Sequence, residues 1–297
     1  MRTDQPVTPE NFGEMFLNGK PEVIYEQCSN EFKELVSFQQ FSELLQSFNS
    51  NVESFHLEST SHLGFVTQYV WIDERKEKAI SVAFDSSDII QSLLIKPFNT
   101  FPESDNTYSK NKFVMPINEE WFVFWGGTNE FINYHYLYES QRYAYDLVIM
   151  KEQVTYQDDP ARNENYFAFG KEVTAPADGT VVKVVNHIID NFPGEMNEKE
   201  AAGNYVVIKH EHEEYSMLAH FKESSILVVE GEAVKQGQVI GHCGNSGNSS
   251  EAHIHFQVMD TPDLFNSKSL RIQFASGEEP IQGDFVTKES FDKKKVN

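Results

Sequence analysis

The stretch Gly241-His-Cys-Gly-Asn-Ser-Gly-Asn-Ser-Ser-Glu-Ala-His-Ile-His-Phe-Gln257 joins a glycine-rich loop to a short apolar segment. The apolar segment carries His253 and His255, two residues apart. Residues i and i+2 of a β-strand point to the same face, so both imidazoles are predicted to project together. The stretch therefore predicts a strand that presents a metal-binding or acid–base pair, and the glycine-rich run predicts the hairpin that leads into it.

Short β-like segments separated by polar and glycine turns precede this stretch. Residues 175–179 predict a turn that enters a strand, and residues 203–210 and 215–220 predict two more strands. In the last of these, alternation places Ser216, Leu218 and His220 on one face. This pattern predicts a mostly antiparallel β domain.

A further candidate site residue lies in residues 143–149, which alternate as a strand and place Asp146 beside Ala144 and Val148. An aspartate among small apolar residues is unusual unless it is paired or bound to a metal. Asp146 is therefore a candidate ligand.

The first part of the chain has a different pattern. Residues 1–49 predict helices: Ile24, Cys28, Phe32 and Leu35 fall at helical spacing, and Ser37 with Gln40 forms a capping box. Residues 64–72, 79–84 and 89–95 then predict strands. Helices followed by an antiparallel sheet indicate an α+β domain, with the helices on one face of the sheet.

A chain of 297 residues is long enough for two domains. Residues 98–112 contain prolines and small polar residues and are the predicted linker. The predicted organisation is an α+β domain over residues 1–97, the linker, and a mostly antiparallel β domain over residues 113–297.

Composition restricts the class of partner. The chain has 46 acidic and 24 basic residues and a net charge of −22, which argues against nucleic acid and anionic membrane surfaces as partners. No apolar run reaches the roughly 18 residues of a membrane span, and no basic-then-apolar signal opens the chain. The two cysteines, Cys28 and Cys243, are far apart, and no disulfide between them is expected.

A zinc enzyme usually supplies three protein ligands and leaves a fourth position for water. Three ligands are available here from His135, Asp146 and one of the pair His253 and His255, which leaves one histidine unused. Spacing does not say which of His253 and His255 would bind the metal, because both can reach one ion. There is no His-Glu-x-x-His motif, so a histidine would have to be the base.

Residues from Trp121 onward resemble the lysostaphin/LytM-type metallopeptidases, peptidase family M23. The resemblance rests on Ala175-Pro-Ala-Asp-Gly-Thr-Val, Tyr215…His220, Gly237-Gln-Val-Ile-Gly-His-Cys-Gly-Asn-Ser-Gly and His253-Ile-His-Phe. It implies an antiparallel β fold with a groove that holds one Zn²⁺. The module before the linker resembles NTF2-like and cystatin-like modules.

The resemblance also implies roles for five residues. His135, Asp146 and His255 would be the zinc ligands, and His220 and His253 the catalytic imidazoles. The commoner family spacing is His-x-x-x-Asp, whereas ten residues separate His135 from Asp146 here. This departure predicts an enlarged loop at the edge of the groove.

The function that the resemblance implies is a zinc metalloendopeptidase that hydrolyses peptide bonds of bacterial peptidoglycan, outside the cell or in its envelope. The bond could lie in a glycine-rich bridge or in a stem-peptide crosslink. The alternative is a non-catalytic zinc-binding regulator or binding module of cell-wall remodelling, and the retention of all five site residues favours the enzyme. Peptidoglycan peptides are the predicted partner, without membrane insertion, and the N-terminal module is a candidate contact for a wall component or a partner protein.

Overall fold

The computed structural model describes residues 6–288 and the backbone of residues 291 and 292. The outer ends of the predicted domains, residues 1–5, 289–290 and 293–297, lie outside the described residues. The chain divides into two compact units, Met1–Thr100 and Phe101–Asn297.

From residue 6 onward, the first unit has four helices followed by a four-stranded antiparallel sheet in the order β1-β2-β3-β4. The elements are α1 (Phe12–Asn18), α2 (Pro21–Glu26), α3 (Asn30–Leu35), α4 (Phe38–Phe48), β1 (Phe55–Leu63), β2 (Val66–Asp73), β3 (Lys78–Asp85) and β4 (Ile90–Pro97). Buried helix residues such as Phe16 and Phe41 form one core with Trp71, Ile80 and Phe84 of the sheet. The predicted α+β fold class is confirmed for this unit.

The helix predictions are confirmed at α4 and need a correction before it. Ser37 Oγ accepts from the Gln40 amide and Gln40 Oε1 accepts from the Ser37 amide, which is the predicted capping box. The helical spacing from Ile24 to Leu35 is interrupted, because Cys28 lies after the end of α2 and forms a β-bridge with Ile90, the first residue of β4. The side chain of Leu35 is 84% exposed, so it does not belong to the buried face.

Strand β1 was not predicted as a separate strand, because polar residues dominate its sequence, FHLESTSHL. It pairs with β2 over its whole length and forms one end of the sheet order. An edge strand has a neighbour on one side only and can expose polar side chains, which explains the weak pattern.

Among its described residues, the second unit contains one short α-helix, α5 (Pro102–Asp105), and eleven strands. The strands are β5 (Trp121–Trp125), β6 (Tyr145–Val148), β7 (Glu172–Thr174), β8 (Gly179–Val185), β9 (Asn204–Lys209), β10 (Tyr215–Phe221), β11 (Ala233–Val234), β12 (Val239–His242), β13 (Ile254–Met259), β14 (Phe285–Val286) and β15 (Phe291–Asp292).

Nine of these strands form one antiparallel sheet in the order β11-β8-β9-β10-β13-β6-β5-β14-β15, and β12 and β7 form a separate pair. One face of the central strands is packed in the larger core, which includes Leu147, Leu218 and Phe256. The mostly antiparallel β fold predicted for this part of the chain is confirmed. Because β13 lies between β10 and β6, three segments distant in sequence become neighbours.

Residues 101–112 of the predicted linker belong to the second unit. The Ser109 amide donates to the Arg271 carbonyl at 2.8 Å. The Glu214 carboxylate accepts from the amides of Lys110 at 2.6 Å and Asn111 at 3.0 Å. These contacts fasten the segment to the sheet domain.

The glycine-rich run does not form the predicted hairpin. Strand β12 pairs with β7, and β13 pairs with β10 and β6. Only a single antiparallel bridge, between Gly244 and His253, closes the loop. The difference arises because each flanking strand finds a longer-range partner with an apolar face to bury.

Both cysteines are buried free thiols, in agreement with the absence of a predicted disulfide. The longest helix in the described part of the chain has 11 residues, whereas a membrane span needs about 20. Across the described residues, therefore, no helix has the length and apolar character to cross a bilayer.

Candidate metal centre

Three of the five predicted site residues meet at the centre of the large sheet. His135 lies on a 3₁₀ turn, Tyr134–Leu137, that follows β5, and Asp146 and His255 lie on β6 and β13. The register of these two strands places Asp146 directly opposite His255. All three side chains are buried.

The potential ligand atoms of these three residues all lie within 4.8 Å of one another. The Nδ1 atom of His255 is 2.9 Å from Asp146 Oδ1, and the Nε2 atom of His135 is 3.5 Å from Asp146 Oδ2. Two imidazoles and one carboxylate therefore converge on one point.

The hydrogen bonds of Gln257 determine which nitrogen of His255 carries a proton. Gln257 Nε2 donates to the Ser140 carbonyl at 3.1 Å, so Gln257 Oε1 is the atom that faces His255 Nε2, at 2.8 Å. An amide oxygen only accepts, so His255 Nε2 carries the hydrogen. In neutral His255, the lone pair of Nδ1 therefore points at the Asp146 carboxylate.

Asn133 has the same effect on His135. Its Nδ2 atom faces the carbonyls of Gly127, Arg142 and Ala144 at 3.0–3.3 Å, which leaves Oδ1 to accept from His135 Nδ1 at 2.9 Å. His135 Nε2 is then the lone pair that faces Asp146. Metal-bound histidines commonly have their second ring nitrogen fixed in this way by an oxygen acceptor.

The donor set fits a divalent cation. Two imidazole lone pairs facing one carboxylate repel it unless a proton or a cation lies between them. Three ligands of the His and Asp type are the number and kind that catalytic zinc sites use.

The pKa shifts agree with this arrangement. Burial lowers the pKa of His135 to about 3, so this imidazole is neutral at physiological pH. Burial acts against the Asp146 carboxylate, but the surrounding histidines hold its pKa well below the usual value. Burial also opposes charge on His255, yet its hydrogen bond to Asp146 raises the pKa. Without a metal, the favoured place for one proton is between His255 and Asp146.

The other two predicted residues, His220 and His253, lie beside this cluster. Their ring centroids are 4.6 Å apart, and the His220 ring is 6.0 Å from that of His255. His253 Nε2 is 3.9 Å from Asp146 Oδ1. The structure therefore brings all five predicted side chains together.

Each of these two histidines also has its Nδ1 atom bonded to a backbone carbonyl. His220 Nδ1 is 2.7 Å from the Ser246 carbonyl, and His253 Nδ1 is 2.9 Å from the Glu251 carbonyl. A carbonyl only accepts, so Nδ1 is protonated and Nε2 keeps its lone pair in both rings. Burial, together with His253 and His255, lowers the pKa of His220 well below its usual value.

The predicted shared face of Ser216, Leu218 and His220 is wrong at His220. The register with β9 shifts between Ala219 and Phe221, and His220 has a φ of +68°. This β-bulge turns the imidazole away from Leu218, which packs in the core, and toward the side of Ala219. Bulges commonly redirect side chains beside active sites.

A cavity of about 160 Å³ opens over the cluster. Among the described residues that line it, none is Lys, Arg, Asp or Glu. The lining consists of Tyr134, His135, Ser140, Gln141, Ala201, Ala202, Met217, Ala219, His220, Asn248, His255, Gln257, Leu264 and Phe265. Apart from the histidines, this surface is neutral and partly apolar.

An antiparallel β domain with a buried His-Asp-His cluster defines a class of candidate metalloprotein. Residues 165–267 match the family described as Peptidase family M23. This part of the second unit is therefore similar to peptidase family M23. The matched range includes His220, His253 and His255, whereas His135 and Asp146 precede it.

The sequence is also similar to curated proteins over part of its length. It is 34% identical over 107 residues to the peptidoglycan DD-endopeptidase ShyA of Vibrio cholerae, a match that covers 36% of this chain and 22% of ShyA. It is 36% identical over 88 residues to an uncharacterized metalloprotease of Haemophilus influenzae, covering 30% of this chain and 16% of that protein. The chain thus spans about a fifth of the length of these relatives.

Among solved structures, this chain is similar to the catalytic domain of the antimicrobial peptidase lysostaphin from Staphylococcus simulans, with a TM-score of 0.29 and 20% identity. That match covers 57% of this chain and 92% of the domain.

Two residues at the centre were not predicted from the sequence, Asn133 and Gln257. Gln257 follows His255 at i+2 on the same strand, so strand periodicity could have placed it on the same face. Asn133 precedes His135 by two residues and also caps the 3₁₀ turn, accepting from the His135 amide at 3.2 Å. Its position before the turn was the available signal.

Proposed function

We propose that this protein is a zinc metalloendopeptidase that hydrolyses peptide bonds of bacterial peptidoglycan. The observation that carries the proposal is the convergence of two imidazole lone pairs and one carboxylate beneath a cavity, with the imidazoles of His220 and His253 beside them. The M23 domain and its relatives named as peptidoglycan DD-endopeptidases support the reaction class and the substrate class.

His135, Asp146 and His255 would hold the zinc ion. When bound, Zn²⁺ supplies Lewis-acid chemistry: it brings the pKa of water toward neutrality and polarises a carbonyl. Two neutral imidazoles and one carboxylate leave the centre with a net positive charge, which favours that chemistry. Asn133 and Gln257 keep the ligand nitrogens of His135 and His255 directed at the ion.

His253 and His220 would accept and donate the proton and would stabilise the developing negative charge. In each, Nδ1–H is held by a carbonyl and Nε2 is free to accept a proton. An imidazole that has accepted the proton can then donate a hydrogen bond to the tetrahedral oxyanion or to the leaving amine. The positive φ of His220 and the fixed Nδ1 bonds orient both rings before substrate arrives.

The cavity surface favours cleavage inside a chain over removal of a terminal residue. A free terminal carboxylate is recognised by Arg or Lys, and neither lines the cavity in the described part of the protein. Ala201, Ala202 and Ala219 leave room for small side chains. Together with the similarity to peptidoglycan DD-endopeptidases, this supports stem-peptide crosslinks as the substrate rather than glycine-rich bridges.

Action outside the cytoplasm or in the envelope follows from this substrate class. For the first unit, the resemblance to NTF2-like and cystatin-like modules stays a prediction, as does its role as a contact for a wall component or a partner protein. The domain bounds 1–97 and 113–297 with a linker between them also stay a proposal.

Metal analysis of the purified chain, followed by measurement of new amino groups released from purified peptidoglycan, tests the proposal. We expect about one zinc per chain, and amine release that a chelator stops and added zinc restores. The His255→Ala variant should lose both zinc and activity, while the exposed His187→Ala control keeps both. Bound zinc without amine release would favour the non-catalytic regulator instead.

A further inference from the structure

The chain between His135 and Asp146 is held by a carboxylate from outside it. The Tyr136 hydroxyl donates to Asp105 Oδ2 at 2.8 Å, and the Tyr143 hydroxyl donates to Asp105 Oδ1 at 2.7 Å. Each oxygen of one carboxylate thus binds one end of the loop. Hydrogen bonds to an ionised acceptor are about twice as strong as those between neutral groups.

Both tyrosines are close to ligands in sequence. Tyr136 directly follows His135, and Tyr143 precedes Asp146 by three residues. A tyrosine hydroxyl ionises only near pH 10, so both hydroxyls are donors to Asp105 at neutral pH. A displacement of Asp105 would therefore shift the chain beside two proposed ligands, His135 and Asp146, at the same time.

Asp105 is itself anchored. It is the last residue of α5, and its carbonyl accepts from Arg271 Nη1 at 2.9 Å. At the other end of the same segment, the Phe101 amide lies 3.2 Å from the Tyr136 hydroxyl oxygen. The Phe101 ring lies 3.6 Å beneath the guanidinium of Arg142, whose Nε donates to the Tyr136 carbonyl.

The spacing of the two ligands explains the need for an anchor. Ten residues separate His135 from Asp146, and the described part of this loop is built from successive turns without strand pairing. Asp146 is fixed by strand β6, but His135 lies on a short turn. A ligand on a turn keeps its position only if other contacts immobilise the turn.

We propose that Asp105 is a positioning residue for the metal centre and that residues 101–105, the segment where the chain enters the second unit, act as a clasp on the ligand loop. The inference rests on the metal centre of the proposed function, and it adds a determinant that lies outside the matched M23 range. The clasp makes the position of His135 depend on the first residues of the second unit.

The test uses the full chain with Asp105→Asn, Tyr143→Phe and the matched control Glu103→Gln, an exposed acid on the same short helix. Asparagine retains one acceptor and replaces the other by a donor, so one tyrosine hydroxyl loses the acceptor for its hydrogen. We expect zinc affinity in Asp105→Asn to fall by about 10-fold, the size of effect seen when support of a metal ligand is lost. Tyr143→Phe should weaken binding less, and Glu103→Gln should match the wild type.

Two further readouts separate positioning from general destabilisation. Amide hydrogen exchange of residues 134–145 in the zinc-free chain should be faster in Asp105→Asn, while the unfolding midpoint changes little. Amine release by Asp105→Asn should be low at limiting zinc and recover at excess zinc, with an unchanged KM.

Unchanged zinc affinity and unchanged exchange in Asp105→Asn would overturn the clasp. If the wild type binds zinc but releases no amines, the proposed activity fails, while the affinity comparison still decides the clasp. If the wild type binds no zinc, the exchange comparison decides: equal exchange rates in Asp105→Asn and Glu103→Gln would overturn the proposal.

Discussion

Asp146 Oδ1 lies 2.9 Å from His255 Nδ1 because the two residues are direct partners across strands β6 and β13. They are 109 positions apart in the chain. On the far side of the His255 ring, Gln257 Oε1 accepts from Nε2 and thereby directs the Nδ1 lone pair at the carboxylate. Sheet register and one amide together place two of the three residues of the candidate metal centre.

Gln257 is therefore expected to control metal affinity without touching the metal. Replacing it by leucine removes the acceptor of His255 Nε2–H, and zinc affinity should fall by about 10-fold to 100-fold. Gln257→Glu keeps an acceptor at the same position and should retain most of the affinity. A zinc competition titration compares the three proteins. Equal affinity in the leucine and glutamate variants would contradict the orienting role.

Removal of the metal should destabilise the second unit. A ligand that binds only the folded state adds about 2.7 kcal/mol at a free concentration of about 100 times Kd. For a unit of this size, that corresponds to a fall in Tm of roughly 5–10 °C after chelation. Calorimetry with and without chelator measures it. The shift should vanish in His255→Ala and persist in His187→Ala; a shift that survives in His255→Ala would place the stabilising metal elsewhere.

His253 should matter for the reaction and not for zinc binding. His253→Ala removes the proposed proton acceptor, and such a group contributes about 10²–10⁴-fold to rate in general acid–base catalysis. We expect amine release from peptidoglycan to fall by at least about 100-fold, while metal analysis still finds one zinc per chain. A variant with full activity would exclude His253 from the mechanism, and one that loses zinc would make it a ligand.

Stability should fall in mild acid because of a buried histidine away from the centre. His210 Nδ1 is bonded to the Asp178 carbonyl and Nε2 to Ser216 Oγ, and burial lowers its pKa below 6.5. As pH falls through about 6.5, His210 takes up a proton in the unfolded chain but stays neutral in the folded protein. The stability that the neutral His210 contributes is therefore present above that pH and lost below it.

Denaturant unfolding of the zinc-loaded protein from pH 7.5 to 5.5 measures this loss. His210→Gln should reduce the slope of unfolding free energy against pH by up to about 1.4 kcal/mol per pH unit. The exposed control His187→Gln should leave the slope unchanged. An identical slope in His210→Gln would show that His210 does not contribute to the acid sensitivity.

Much of the fold followed from local patterns. Alternation in residues 143–149 and 253–257 predicted strands, and Ser37 with Gln40 predicted the start of α4. Edge strand β1 was not predicted because its sequence is mostly polar. The hairpin prediction was wrong because β12 and β13 each pair with other strands. Local periodicity reports which face of a strand is apolar, but not which strand it will join.

The sequence by itself determined that His253 and His255, two residues apart in one extended segment, share a side, and that Asp146 lies between apolar neighbours. Spacing left open which histidine binds metal, and the roles of all five residues stay predictions until tested. Tertiary structure alone decided that β6 lies beside β13, that a bulge with positive φ turns His220 toward the cavity, and that Asn133, Gln257 and Asp105 support the ligands. The physical reason is the distance along the chain over which each effect acts. Strand periodicity relates residues two positions apart, whereas the strand register and these hydrogen bonds join residues that meet only in the packed sheet.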